Sequence, residues 1–183
     1  MLQIENVIET FHECFARHYH VRLIGGAAEP CYQPKSEKQA CNTLYFRENF
    51  FASALHEISH WCIAGSDRLR LVDWGYWYEP EGRDSIQQKA FEAVEVNVQA
   101  IELLFSRAAG VRFYVSLDNP GTEPASSMGF RNAVYQRARD FAVGERKLPP
   151  RAETFLQALC QANGLAVTDV LLSVSDDTFL TDH

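Results

Sequence analysis

Apolar residues at helical spacing open the chain. Ile4, Val7, Ile8, Phe11, Phe15 and Tyr19 recur three or four positions apart while Glu5, Glu9 and Glu13 fall on other faces, which predicts an amphipathic helix over Ile4 to Tyr19. His20 to Ile24 reads as a short strand stopped by Gly25-Gly26, Ala27 to Asn42 as a long loop carrying Pro30 and Pro34, and Thr43 to Arg47 as a second strand. Helical spacing returns with Phe51, Leu55, Ile58 and Cys62, where Asn49 or Ser53 offers a cap and Gly65 suits the C′ position. The longest stripe, Phe91, Val94, Val98, Ile101, Phe105 and Ala108, predicts a helix from Ser85, which opens a Ser-x-x-Gln capping box, to about Ala109.

Val111 to Leu117 alternates apolar and polar residues and reads as a further strand, ended by a turn at Asp118-Asn119-Pro120-Gly121. Helices are expected over Phe130 to Val143 and Arg151 to Ala162, separated by Leu148-Pro149-Pro150. Thr168 to Val174 adds a last turn, within a tail after about 165 expected to be loosely ordered. Clustered helices with a few strands between them define an α+β fold in a single domain, with a small mixed or antiparallel sheet.

Composition narrows the function. With 183 residues, 46% of them hydrophobic, the chain can bury a core of its own. A net charge of −7 argues against nucleic acid as a direct partner and favours cationic ones. The five cysteines are scattered without a C-x-x-C, so free thiols are expected and no disulfide framework. The start of the chain lacks a basic, then apolar, export signal, and no run approaches the roughly 18 apolar residues of a membrane span. A cytoplasmic protein is expected, with no membrane partner.

The chemistry centres on His56-Glu57-Ile58-Ser59-His60. Residues i and i+4 of a helix stand one above the other, so both imidazoles reach one point outside it, and that point suits a metal ion. Two histidines leave a divalent ion under-coordinated, so a third ligand is sought on the long helix. Glu95 and Glu102 fall at the edge of its apolar stripe, and a carboxylate there needs a cationic neighbour; Glu92 lies well outside the stripe. Glu95 is the preferred third ligand, with Glu92 and Glu102 as fallbacks. His12, His18 and His20 have no partner at metal spacing and read as structural or exposed.

With zinc, such a site is that of a zincin-like metallopeptidase in which Glu57 takes a proton from bound water. With Fe(II), the same ligands form a facial triad that leaves positions for dioxygen, and spacing alone does not choose between the two. A third reading is a metal-stabilised binding domain. Trp74-Gly75-Tyr76-Trp77-Tyr78 brings more rings than one buried face takes. Some of them are expected to line a groove that grips an alkyl stem, with Asp73, Glu79, Glu81 or Asp84 holding its charged end.

The blocks Asn42-Thr43-Leu44-Tyr45-Phe46, Phe50 to Gly65, Val72 to Tyr78, Gly82-Arg83-Asp84, Phe91 to Val96 and Ser116 to Asn119 resemble the bacterial elongation factor P hydroxylase family. The resemblance runs from about Val7 to Phe155, excepting the loop Ala27 to Gln39. It implies an oxygen-dependent non-haem iron enzyme that hydroxylates the β-lysylated lysine of elongation factor P. His56, His60 and Glu95 correspond to the ligands, and dioxygen is the co-substrate. On this reading Glu57 supports the ligands or shapes the oxygen pocket. Asp73, Trp74, Tyr76, Trp77 and Asp84 are the expected substrate-binding residues.

Overall fold

The computed structural model describes residues 2–73, 85–116 and 124–176, with the side chains of 85–90 and 124–127 outside that description. Among the described residues the order is α1 (Ile4–Tyr19), β1 (Val21–Ala27), β2 (Cys31–Gln33), β3 (Asn42–Arg47), α2 (Phe51–Ile63) and a 3₁₀ turn at Arg68–Arg70. Then follow α3 (Ser85–Ala109), α4 (Pro124–Ala142), α5 (Pro150–Ala162) and α6 (Val167–Ser175). No single described helix is long and apolar enough to cross a membrane.

The sheet is mixed, in the order β1-β3-β2, with β1 parallel and β2 antiparallel to β3. β1 does not stop at the glycine pair but passes through it, with a register shift between Ile24 and Ala27. A side chain at Gly25 would meet Asn49 Oδ1 at 2.5 Å and Phe46 Cζ at 2.6 Å, so the glycine permits close approach to the β3 side. β2 lies inside the stretch expected to be loop. Its three residues, between Pro30 and Pro34, are too few to show a period, and they exist because β3 presents an edge to pair with.

Val111 to Ser116 corrects the reading in the other direction. Burial alternates as the sequence implies, yet these six pair with no strand among the described residues. The side-chain amide of Gln99 on α3 takes the place of a ladder partner, with Nε2 donating to the Ser116 carbonyl at 3.0 Å and Oε1 accepting from the Ser116 N–H at 3.0 Å. The expected loose tail is also corrected up to Asp176. α6 buries Val170 and Val174, and Arg139 of α4 donates to the Ser175 carbonyl, 2.6 Å from Nη2. The turn at Asp118 to Gly121 and the residues from 177 onward lie outside the described residues.

An aromatic nest fixes how α2 is turned. Trp61 packs against Phe15 and Phe11, with centroids 4.8 and 5.3 Å apart, and Phe155 of α5 packs against Phe105 of α3 at 5.0 Å. Ring pairs of this kind resist rotation of the helix that carries them. The end of α2 differs from expectation. Ala64 is extended and no left-handed glycine follows, while Arg151 lies 4.5 Å from the Trp61 ring and donates to the carbonyls of Cys62 and Ala64. A cation on the free carbonyls of a helix end does the work that Gly65 was expected to do. At the other end neither Asn49 nor Ser53 caps the helix. Phe50 is the N-cap residue, and Ser53 Oγ accepts from the Arg47 N–H instead.

Candidate metal centre

With Trp61 held in the nest, His56 and His60 face α3. Their Nε2 atoms are 3.2 Å apart, and Glu95 Oε1 lies 3.1 Å from His60 Nε2 while its Oε2 lies 3.8 Å from His56 Nε2. Ligand atoms each about 2.1 Å from one ion stand about 3.0 to 3.4 Å apart between octahedral and tetrahedral angles; the 3.2 and 3.1 Å separations match that span, and the 3.8 Å from His56 to Glu95 exceeds it by a few tenths of an ångström. Ligand atoms of His56, His60 and Glu95 all lie within 4.8 Å of one another, and this trio is the group among the described residues that can hold a metal. Glu92 does not join it.

The carboxylate helix is built for this contact. Glu95, Gln99 and Glu102 lie four and then three residues apart, hence on one face of α3, and all three are buried. A step of four residues along α2, from His56 to His60, moves the contact back from Glu102 to Glu95, so the two helices run antiparallel across the site. Glu102 meets the far side of the ligand. His56 Nδ1 is 2.9 Å from Glu102 Oε2, and an N–H donated there leaves the Nε2 lone pair facing the ion's position. Gln99 Nε2 donates to Glu95 Oε2 at 3.3 Å, so the residue that holds Val111 to Ser116 in place also steadies the carboxylate ligand. His60 Nδ1 is buried with no hydrogen-bond partner among the described residues.

The charges call for a cation. Burial works against a charge on His56, but the Glu102 hydrogen bond and the carboxylates of Glu102, Glu95 and Glu57 overcome it and push its pKa up to about 10. Glu95 shows the reciprocal effect. Burial opposes its ionisation, yet the hydrogen bond from His60, the charges of both histidines and the Gln99 amide bring it down to about 2. Two imidazoles with an ionised carboxylate, a tautomer fixed for ligation and an anionic surround fit a divalent first-row metal.

Glu57 points elsewhere. It lines a narrow cleft with Tyr32, Leu44, His60, Arg68 and Asp73, and burial, the largest influence, raises its pKa. Asp73 lies in the same cleft, its backbone bridged to Tyr32 and its Oδ2 2.5 Å from both Nε and Nη2 of Arg68. Trp74, Tyr76, Trp77 and Asp84 lie outside the described residues. The sequence reading missed two supporting groups, Gln99 and the Glu102 contact to His56. The signal for both was present, since polar residues at i+4 and i+7 from Glu95 continue one buried edge of α3.

An α+β fold in which two helices bring two imidazoles and one carboxylate to a point defines a protein with a candidate mononuclear metal centre of the two-histidine, one-carboxylate type. Sequence comparison supplies the family. The pattern of the elongation factor P hydroxylases matches residues 10–170, taking in the 27–39 loop and running past Phe155. The chain is also 44% identical over 157 residues to an elongation factor P lysine hydroxylase of Haemophilus influenzae, a match covering 86% of this chain and 87% of that relative. This chain belongs to the elongation factor P hydroxylase family.

Proposed function

We propose that this chain is an oxygen-dependent hydroxylase of the cytoplasm. It acts on the β-lysylated lysine of elongation factor P and uses Fe(II) held by His56, His60 and Glu95 on a zincin-like helix. The observation that carries the reading is the convergence of those three ligand atoms within 4.8 Å in a member of this family. Bound there, ferrous iron supplies the activation of dioxygen for oxygen insertion into a C–H bond. Insertion of one oxygen atom consumes two electrons and releases the other oxygen atom as water, so an external reductant takes part.

The chain's own residues hold and orient. Glu102 fixes the His56 tautomer, Gln99 fixes the Glu95 carboxylate, and Trp61 in its nest fixes the helix that carries both histidines. Asp73, Trp74, Tyr76, Trp77 and Asp84 are the residues assigned to binding the long cationic side chain, aromatic side chains being suited to its alkyl stem.

The test is intact-mass measurement of elongation factor P after aerobic incubation with the Fe(II)-loaded protein and a reductant. The β-lysylated factor is expected to gain the mass of one oxygen atom. The anaerobic sample and the His60→Ala variant are expected to leave it unchanged. An unchanged mass with the wild-type protein overturns the proposal, and equal gain by the unmodified factor overturns its substrate.

A further inference from the structure

Each described acidic side chain at the centre has a hydrogen-bond or ion-pair partner except one. Glu95 faces both histidines, Glu102 accepts from His56, and Asp73 in the cleft is taken by Arg68. Glu57 is 9% exposed, lines the cleft beside His60, and has no hydrogen-bond partner among the described residues. A buried carboxylate without a partner is strongly unfavourable unless something cationic arrives to meet it. The ion's position does not supply that partner. Glu57 makes no hydrogen bond to His56 or His60, and a divalent cation shared with Glu95 and Glu102 leaves one negative charge over.

We infer that the cleft beside His60 is an ammonium subsite, and that the Glu57 carboxylate is the counter-charge for one amino group of the substrate side chain. The inference deepens the proposed function and rests on its dicationic β-lysyl-lysine substrate. The ligand class is a primary ammonium on an alkyl stem. The cleft's chemistry suits that shape. Leu44 and the ring of Tyr32, whose hydroxyl is spent on the Leu69 carbonyl at 3.0 Å, give an apolar wall, and Glu57 is the acceptor at its side. Arg68 and Asp73 also line the cleft, and their ion pair leaves the Asp73 charge already matched. Glu57 sits three residues before His60 on the same helix, so seating an amino group there places the neighbouring carbons of the stem beside the metal centre. Glu57 thereby acts as a specificity residue for the modified lysine.

The experiment measures binding as well as turnover. Titration calorimetry of the metal-loaded protein with β-lysylated and unmodified elongation factor P is run for wild type and for Glu57→Gln, with metal content read by elemental analysis. Wild type is expected to prefer the β-lysylated factor. Glu57→Gln is expected to keep its metal and its fold, to bind the β-lysylated factor about 10- to 100-fold more weakly, and to show that loss in KM more than in kcat. The amide fills the same space, and its melting temperature is expected to be no lower than that of wild type. Loss of metal from Glu57→Gln, or a fall in kcat at unchanged affinity as for a general base, overturns the inference. Unchanged affinity in Glu57→Gln while wild type still discriminates overturns the inference and leaves the function standing. Absence of discrimination by wild type overturns the proposed substrate itself.

Discussion

Two helix seams of this molecule each hold a histidine to a neighbouring element, and their electrostatics are opposite. Between α1 and β1, His12 Nε2 accepts the Leu23 N–H at 2.9 Å; burial and the charge of Arg22 hold its pKa below the ordinary value. Between α2 and α3, His56 is surrounded by Glu102, Glu95 and Glu57 and is pushed up to about 10. The first imidazole is finished by its backbone partner and stays neutral. The second is unfinished without a cation. Spacing within one helix did not carry that distinction alone; the acids brought by the facing helix did. A histidine whose surroundings favour the neutral form is scaffold, and a pair whose surroundings demand a positive charge marks a site.

The comparison breaks most visibly at the ligands. Alanine at His56, His60 or Glu95 is expected to abolish tight metal binding and reduce hydroxylation to background, with the fold retained by circular dichroism. Alanine at His12 is expected to do the reverse. It leaves the metal in place and lowers stability by about 1–3 kcal/mol, because the Leu23 N–H, on a residue only 1% exposed, loses its acceptor. Metal loss from His12→Ala or metal retention in His60→Ala reverses the assignment of the two seams.

A smaller effect sharpens the same contrast. Glu102 touches no ion in this scheme but orients His56, so Glu102→Gln is expected to weaken metal affinity about 10- to 100-fold without abolishing activity at saturating Fe(II). Equilibrium dialysis against a chelator reads the affinity. Complete loss of metal instead makes Glu102 a ligand.

How far the sequence carried these conclusions depends on the length of each periodic stretch. α1 and α3 were legible to the residue because their stripes run for four turns or more, and β3 because Thr43 to Arg47 sits against the helix that bears the histidines. β2 has no period in three residues, and Val111 to Ser116 has the alternation of a strand but, among the described residues, no strand paired with it. α6 was read as a single turn because its nine residues show little besides Val170 and Val174 pointing inward. At the site, Glu95 was legible as a carboxylate that a buried face tolerates only beside a cation. The role of Gln99 was legible only in part: its place four residues after Glu95 on one helix face is a local pattern, whereas its attachment to Ser116, 17 positions away, is not. Side-chain links between elements leave no local pattern.

The finest test of the contrast is the pH dependence of the metal-free protein, where the two seams carry opposite signs. The folded pKa of His56 is raised from about 6.5 to about 10. Its stabilisation is therefore fully present below about pH 6.5 and lost as pH rises through about 10. The folded pKa of His12 is lowered, so its contribution is present above about pH 6.5 and lost as pH falls through its folded value, when a proton on Nε2 takes away the acceptor for Leu23. Thermal melts of chelator-treated protein are expected to fall off on both the acid and alkaline sides by a few degrees, about 2–4 °C for each kcal/mol lost. Glu102→Gln is expected to flatten the alkaline limb alone, since it removes the main support for the charged imidazole. His12→Gln is expected to flatten the acid limb above about pH 4.5, because an amide oxygen accepts the Leu23 N–H without titrating; below that the Glu95 carboxylate, held down to about 2, adds its own loss as it is protonated. If one substitution moves both limbs, the seams are coupled through α1, α5 and Trp61, and the separation of scaffold from site fails at that point.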